Sequence, residues 1–359
     1  MGVYKIFPSQ DATIYTNYNT LNAGLDSILD LSKYESPISS STSRILIKFD
    51  NNDIANVISK SGPNFTASLK LYNSAVEGIP TNFDILVNPL YESWDMGTGR
   101  FNNDPEITDG CSWIYRNSNK TNPWAISGFP SGVTSSYFIE SPGGASWYTA
   151  SVSQSFNYFS TKDININVTQ FIGWYTASII PNNGFIIRNT GSIEFDPNYE
   201  YVFNFFSRDT NTIYSPYLEF KWNDSTFNPG TTQYIPNEEL NIAISNNKNI
   251  FYDNEYVRFR VYAREKYPPR IYVNESLYKY NKLLPTSSYY SIIDLQSNLI
   301  VTEFDSSTQL SNDVTSSYFM MHMNGLEPDR YYKIQIKSII NGGTYIYDDD
   351  YYFKVNQTV

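Results

Sequence analysis

The chain has very few of the residues that active sites and crosslinks most often use. Among its 359 residues there is one cysteine, Cys111, and one histidine, His322. A single cysteine excludes an internal disulfide and a zinc cluster of His and Cys ligands. With one histidine, a Ser-His-Asp site has only His322 to use. Its strand-like setting among Phe319, Met321 and Met323 favours a surface or interface role instead.

Positive charge and long apolar runs are also scarce. The chain carries 25 Lys and Arg against 36 Asp and Glu, a net charge of -11, and no basic run. Nucleic acids need clustered Lys and Arg, so we predict no nucleic-acid partner, and the same charge argues against membrane-surface binding. No stretch approaches the roughly 20 apolar residues that span a bilayer, and the first residues lack a signal-peptide pattern. We therefore expect assembly in a reducing cytoplasm without classical export.

Signals for catalysis and cofactors are equally sparse. Walker and Rossmann glycine patterns are absent, and acidic residues mostly occupy turn-like segments. Asp348, Asp349 and Asp350 offer carboxylates for calcium, although a solvated hairpin end is the favoured interpretation. The sequence does not exclude a pair of carboxylates that hydrolyses glycosides. We predict a protein that is not an enzyme and has no cofactor or metal.

Aromatic residues are abundant, with 32 Tyr and 22 Phe. Such side chains pack well on pleated sheets. Apolar residues alternate with polar ones in short runs bounded by turn residues, which is typical of strands. The runs with the clearest alternation are Ile45, Ile47 and Phe49; Ala67, Leu69 and Leu71; Ile164, Ile166 and Val168; and Leu218, Phe220 and Trp222. A short helical pattern covers residues 53–59. The sequence predicts an all-β protein of paired antiparallel sheets.

A change in composition after Trp222 predicts a domain boundary. Turn and linker residues dominate the segment that follows, and strand patterns resume at Leu240. We predict a first domain over residues 1–222, a linker over 223–235 and a second domain over 236–359.

The first domain contains short motifs in a fixed order. They include Asn22-Ala23-Gly24, Trp94-Asp95-Met96-Gly97-Thr98-Gly99-Arg100, Cys111-Ser112-Trp113 and Phe205-Phe206-Ser207-Arg208-Asp209, with strand-like motifs at 11–15, 44–50, 67–72, 163–169, 182–188 and 216–220. This ordered set resembles the DNRLRE family, which is also described as disaggregatase-related and as similar to carbohydrate-binding modules. The resemblance covers roughly residues 3 to 222 and implies a jelly-roll β-sandwich.

The resemblance also implies sugar binding by aromatic side chains, because sugar rings stack on aromatic faces. The candidate platforms are Trp94, Trp113, Trp124, Trp147 and Trp174. Packing in a core or loop is roughly three times the more frequent role for such large side chains. Interface contact is a further role for aromatic residues.

The second domain contains a motif similar to the fibronectin type III signature. Leu326, Pro328 and Tyr332 have its spacing and lead into an alternating strand. In that signature the tyrosine ring packs inside and its hydroxyl bonds back to the preceding turn. A Gly342-Gly343 turn and a closing strand at 351–355 complete the pattern. Because the early Trp of the signature is missing, we predict a smaller immunoglobulin-like β-sandwich.

Residues 7–15, followed by Asn22-Ala23-Gly24-Leu25-Asp26, are similar to the start of DNRLRE-bearing structural proteins of large phages. This resemblance implies a non-enzymatic virion structural protein of a tailed bacteriophage, in the neck, the tail or the capsid surface. Such a protein would assemble in the host cytoplasm as a symmetric homo-oligomer that contacts other virion proteins. The alternative is a carbohydrate-binding or host-adhesion protein with a glycan as ligand.

Overall fold

Strands dominate the structure of this protein, which confirms the predicted all-β class. The computed structural model describes residues 2–35, 40–78, 81–117, 120–135, 142–194, 196–228, 240–267 and 282–358. Residues 229–235 of the predicted linker lie outside these ranges. In the described part of the chain, no helix is long and apolar enough to cross a membrane.

The strands are short and fall into an N-terminal and a C-terminal series. The first series is β1 Val3–Ile6, β2 Gln10–Tyr15, β3 Ile28–Glu35, β4 Ser40–Lys48, β5 Thr66–Leu71, β6 Asn73–Glu77, β7 Asn82–Pro89, β8 Val133–Ser135, β9 Ser146–Tyr148, β10 Val152–Asn157, β11 Ile164–Asn167, β12 Phe185–Asn189, β13 Tyr201–Phe206 and β14 Tyr217–Lys221. The second is β15 Leu240–Ser245, β16 Ile250–Tyr252, β17 Tyr256–Glu265, β18 Ser288–Asp294, β19 Leu299–Thr302, β20 Ser311–Asn312, β21 Ser317–His322, β22 Arg330–Ile340 and β23 Gly343–Asn356.

Three helices interrupt the first series: α1 Asn51–Ser61, α2 Thr169–Thr176 and α3 Gly191–Glu194. Helix α1 contains the predicted helical pattern and buries Ile54 and Val57. Helix α2 begins inside the segment expected to be a strand, because the side chain of Asn167 accepts the Thr169 N–H and turns the chain there.

The chain divides into two compact units. The larger unit comprises Ile6–Asn56 and Thr66–Glu219, and the smaller unit comprises Met1–Lys5, Val57–Phe65 and Phe220–Val359. The division predicted after residue 222 stays a prediction.

The larger unit contains an eight-stranded antiparallel sheet in the order β10-β7-β12-β4-β3-β13-β6, with β2 also paired to β4. In a second sheet, β5 lies between β11 and β14. Phe49 and Leu69, expected in the core, are both buried. This is the predicted β-sandwich, and its jelly-roll connectivity stays a prediction.

The smaller unit is an immunoglobulin-like sandwich. One sheet has the order β15-β17-β21-β20 and the other has the order β16-β23-β22-β18-β19, with β16 parallel to β23. This is the strand order of the immunoglobulin fold, in which the first, second, fifth and fourth strands form one sheet. Tyr332 at the start of β22 is buried, and its hydroxyl donates to the Glu327 carbonyl oxygen at 2.8 Å. The predicted tyrosine corner is therefore confirmed.

Candidate interaction surface

The structure brings four of the five predicted tryptophans together inside the larger unit. Trp94, Trp113, Trp124 and Trp147 belong to one buried cluster, called the aromatic cluster below, and none exposes more than 3% of its surface. Trp174 lies apart on α2, half-buried against Phe171. A ring whose faces are covered cannot stack on a sugar. The geometry therefore gives the four clustered indoles a packing role.

A buried arginine holds the aromatic cluster together. The Arg44 guanidinium lies 4.7 Å from the Trp113 ring centre and 5.2 Å from that of Trp147. It forms an ion pair with Glu194 at 2.6 Å and donates to the Gly144 carbonyl oxygen. Since a buried charge is tolerated only when it is paired and hydrogen-bonded, these contacts stabilise the position of Arg44. The arrangement fixes the loops around the indoles.

A buried asparagine joins three of the motifs on which the family resemblance depends. The Asn22 side-chain amide donates to the carbonyl oxygens of Met96 at 2.7 Å and Cys111 at 2.8 Å. Its Oδ1 accepts from the Gly99 N–H at 2.8 Å. A Cβ at Gly97 would lie 2.4 Å from Asn22 Oδ1, so the backbone comes this close only because Gly97 has no side chain. The Asn22 motif, the tryptophan-glycine motif and the Cys111 motif thus form one structural unit.

The Asp11 carboxylate lies at the contact between two further motifs. It is buried and accepts the Arg208 N–H at 2.7 Å. Burial raises its pKa to about 7. Arg208 also forms an ion pair with Asp209 at 3.8 Å. Within the described ranges, no group of three or more His, Cys, Asp or Glu side chains is placed to hold a metal ion.

His322 packs between aromatic rings at the end of β21. Its ring stacks on Tyr256 at 4.0 Å and meets the edge of Tyr4 at 6.4 Å. Burial, together with the nearby charge of Lys60, lowers its pKa to about 4. At neutral pH it is therefore an uncharged packing group.

The side of the five-stranded sheet turned away from the core of the smaller unit is rich in exposed apolar residues. Along β22, Tyr332, Ile334 and Ile336 are buried, while Tyr331 on the opposite side is 52% exposed. We call this side the outer face. Its exposed large side chains are Ile250, Tyr252, Leu295, Ile300, Tyr331, Ile339, Ile346 and Tyr352. Monomeric proteins seldom leave so many apolar groups on one side of a sheet unless it binds something.

Strand register places these groups in rows across the outer face. Ile250 is paired with Lys354 and Lys354 with Tyr331, and the next row joins Tyr352 to Lys333. Carboxylates neutralise the two lysines of these rows, since Lys333 contacts Asp348 at 2.8 Å and Lys354 contacts Asp329 at 3.0 Å. Lys337, farther along β22, lies over the rings of Tyr289 and Phe304. The rows around Tyr331 and Tyr352 are therefore apolar with little net charge. Such a surface suits association with another protein.

The acidic triplet is not the hairpin end that the sequence predicted. The hairpin turn is Asn341-Gly342, whereas Asp348, Asp349 and Asp350 lie within β23. There the register shifts, because Ile336 pairs with Tyr347 while Ile334 pairs with Tyr351. The triplet thus forms a β-bulge, which bends the strand and disrupts its pairing edge.

Comparisons with known proteins add little. No protein-family model and no curated protein matches the sequence. The chain is similar to the adhesin domain of Epf from Streptococcus pyogenes, at 9% identity over 100% of this chain and 92% of that one, with a TM-score of 0.18. It is similar to a DUF4785 family protein from Legionella pneumophila, at 7% identity over 99% of this chain and 62% of that one, with a TM-score of 0.20. It is also similar to the tripod from the baseplate of bacteriophage Tuc2009, at 8% identity over 99% of this chain and 98% of that one, with a TM-score of 0.17. Likenesses this weak carry no argument about fold or function.

The sequence did not predict the outer face. The predicted platforms were tryptophans, whereas the exposed rings of this face belong to Tyr252, Tyr331 and Tyr352. The ends of the two strands carry a sequence signal, because Tyr331, Ile339, Ile346 and Tyr352 stand where strict alternation would place polar residues.

Proposed function

We propose that this protein is a non-enzymatic structural component of a tailed-bacteriophage virion, which acts through protein–protein contacts made by the outer face. The observation that carries the proposal is the exposure of aromatic and aliphatic side chains across that sheet, where carboxylates neutralise Lys333 and Lys354. Exposed aromatic residues are frequent binding hot spots in protein interfaces. Membership of the larger unit in the DNRLRE family belongs to the same proposal. The joining of three of its motifs through Asn22 supports that membership.

The first test measures the mass of the purified protein in solution and its binding to a panel of glycans. A stable ring or other assembly without glycan binding is expected. Tyr331→Ser and Ile300→Ser should each weaken the assembly at least about tenfold, the usual effect of losing a hot-spot side chain. Val314→Ser is the matched control, because Val314 is exposed but lies outside the outer face. A monomer with micromolar glycan affinity would overturn the proposal.

The genomic neighbourhood gives an independent test. Genes for portal, tail-sheath or capsid proteins next to the coding sequence are expected for a virion component. A neighbourhood of polysaccharide-degrading or cell-surface genes would contradict it.

A carbohydrate-binding or host-adhesion role is the second candidate, and one observation favours it. Tyr331 and Tyr352 are both exposed on the outer face, where phenol rings can stack on sugars. For this role, Tyr331→Ala should abolish binding in the glycan panel. Trp113→Phe should leave binding intact, since Trp113 is fully buried.

A further inference from the structure

Among the described strands, none lies beside one edge of β23 next to its hairpin turn. On one side it pairs with β22 along most of its length, but on the other side β16 covers only Lys354, Val355 and Asn356. Across Gly343–Tyr347 no described strand lies on that side. Unpaired strand edges are templates for another strand, and natural proteins usually protect them with charges or bulges.

The hairpin turn determines which backbone groups face outward. Asn341 and Gly342 have φ of 50° and 82°, the conformation of a two-residue type I′ turn. Ile340 and Gly343 therefore form the closing hydrogen-bonded pair, and alternate residues of an antiparallel strand turn their groups away from the partner. Thr344 and Ile346 thus present N–H and C=O groups to the open side.

Ile339 confirms this alternation. It pairs with Thr344 across the hairpin, yet its N–H donates to the Ser287 carbonyl oxygen on the opposite side, at 3.0 Å. A residue in a hydrogen-bonded pair with Thr344 could not do this. The open side of β23 therefore offers two donors and two acceptors at the regular spacing of a strand.

Charge limits where two copies of the chain can meet and in which register. The chain carries a net charge of -11, so two copies repel over most of their surface. Gly343–Tyr347 has no charged residue, and its Tyr345 and Ile346 are 47% and 57% exposed. A two-fold axis at Tyr345 would pair Thr344 with Ile346 of the second copy and Ile346 with Thr344 of the second copy. Registers displaced toward Asp348 would bring the acidic triplets together, so the central register is favoured.

We infer that Gly343–Tyr347 pairs antiparallel with the same segment of a second copy of this chain, joining the two five-stranded sheets about a two-fold axis at Tyr345. The inference rests on the proposed structural function and names one partner for it. All four outward groups of each copy find partners in this arrangement. The two Tyr345 rings become a directly opposed cross-strand pair, and such pairs stabilise sheets. The contact is isologous and closes at two copies.

Charge exchange at Tyr345 tests the inference on the full chain by sedimentation velocity. Tyr345→Lys and Tyr345→Glu each place like charges opposite one another at the axis, so each variant alone should dissociate at least about tenfold more readily than wild type. An equimolar mixture should recover the dimer, because opposite charges then meet. Val314→Lys is the control, since Val314 is exposed but lies outside both Gly343–Tyr347 and the outer face. Tyr331→Lys reports separately on the outer face. Circular dichroism checks that each variant is folded.

The outcomes separate this inference from the proposed function. Unchanged dimerisation of both single variants, or no recovery in the mixture, would overturn the edge pairing. Assembly that is lost in Tyr331→Lys and kept in Tyr345→Lys would depend on the outer face alone. That result also overturns the edge pairing, while the proposed structural function stands. A wild-type monomer without glycan binding overturns the edge pairing only, whereas a glycan-binding monomer overturns both.

Discussion

Replacing Asn22 by alanine should destabilise the larger unit more than most single substitutions. The change removes three hydrogen bonds of 2.7–2.8 Å, to Met96, Cys111 and Gly99, in a place where Asn22 itself is fully buried. At about 1 kcal/mol net for each bond, the free energy of unfolding should fall by about 3 kcal/mol. Asn22→Asp should cost more, because it places a carboxylate oxygen against two carbonyl oxygens.

Urea denaturation followed by circular dichroism measures this loss. With a denaturant dependence of about 2–3 kcal/mol per molar, a loss of about 3 kcal/mol lowers the midpoint by about 1 M. The control is Asn102→Ala in the same loop region, where the side chain is exposed and a change within about 0.5 kcal/mol is expected. A midpoint for Asn22→Ala within 0.2 M of that control, an allowance of about 0.5 kcal/mol, would refute the reasoning.

Three further predictions concern single side chains. Glu194→Gln leaves the buried Arg44 charge without its ion-pair partner and should cost about 3–5 kcal/mol in urea denaturation; a loss below about 1 kcal/mol would contradict this. Burial raises the pKa of Asp11 to about 7 in the folded state, above the ordinary value of 3.8, so the contribution of Asp11 to stability should be greatest below pH 4 and fall as pH rises to 7. Asp11→Asn should flatten the pH dependence of the melting temperature in that window, and an unchanged slope would sink the assignment. Tyr332→Phe removes the bond to the Glu327 carbonyl and should cost the smaller unit about 1 kcal/mol by thermal denaturation, whereas Tyr331→Phe, as the control, should cost nothing measurable.

Features set by neighbouring residues could be predicted from the sequence. The alternation at Leu240 and Ile242 predicted β15, and the spacing from Leu326 to Tyr332 predicted the tyrosine corner. In both, the pattern reflects a periodicity of two or a turn of a few residues. The helical pattern near residue 54 likewise predicted α1.

Features made by distant parts of the chain could not be predicted. Asn22 and Gly99 lie 77 positions apart, so nothing in either motif shows that they bond. The burial of Trp113 depends in the same way on Arg44 from another strand. Gly143 and Gly144 have the composition of an open loop, yet a Cβ at Gly143 would meet the Trp113 carbonyl oxygen at 2.1 Å. Composition alone cannot separate an open loop from a closely packed one.

The aromatic cluster also gives the two units separate optical reporters. Five of the six tryptophans, including the four clustered indoles, lie in the larger unit, whereas the smaller unit contains only Trp222 beside many tyrosines. Light at the red edge of protein absorption excites indole and not phenol, so emission under that light follows mainly the larger unit. Tyrosine emission and backbone circular dichroism then report on the smaller unit as well. Loss of each fold can thus be timed separately in one intact chain, without a label and without cutting it.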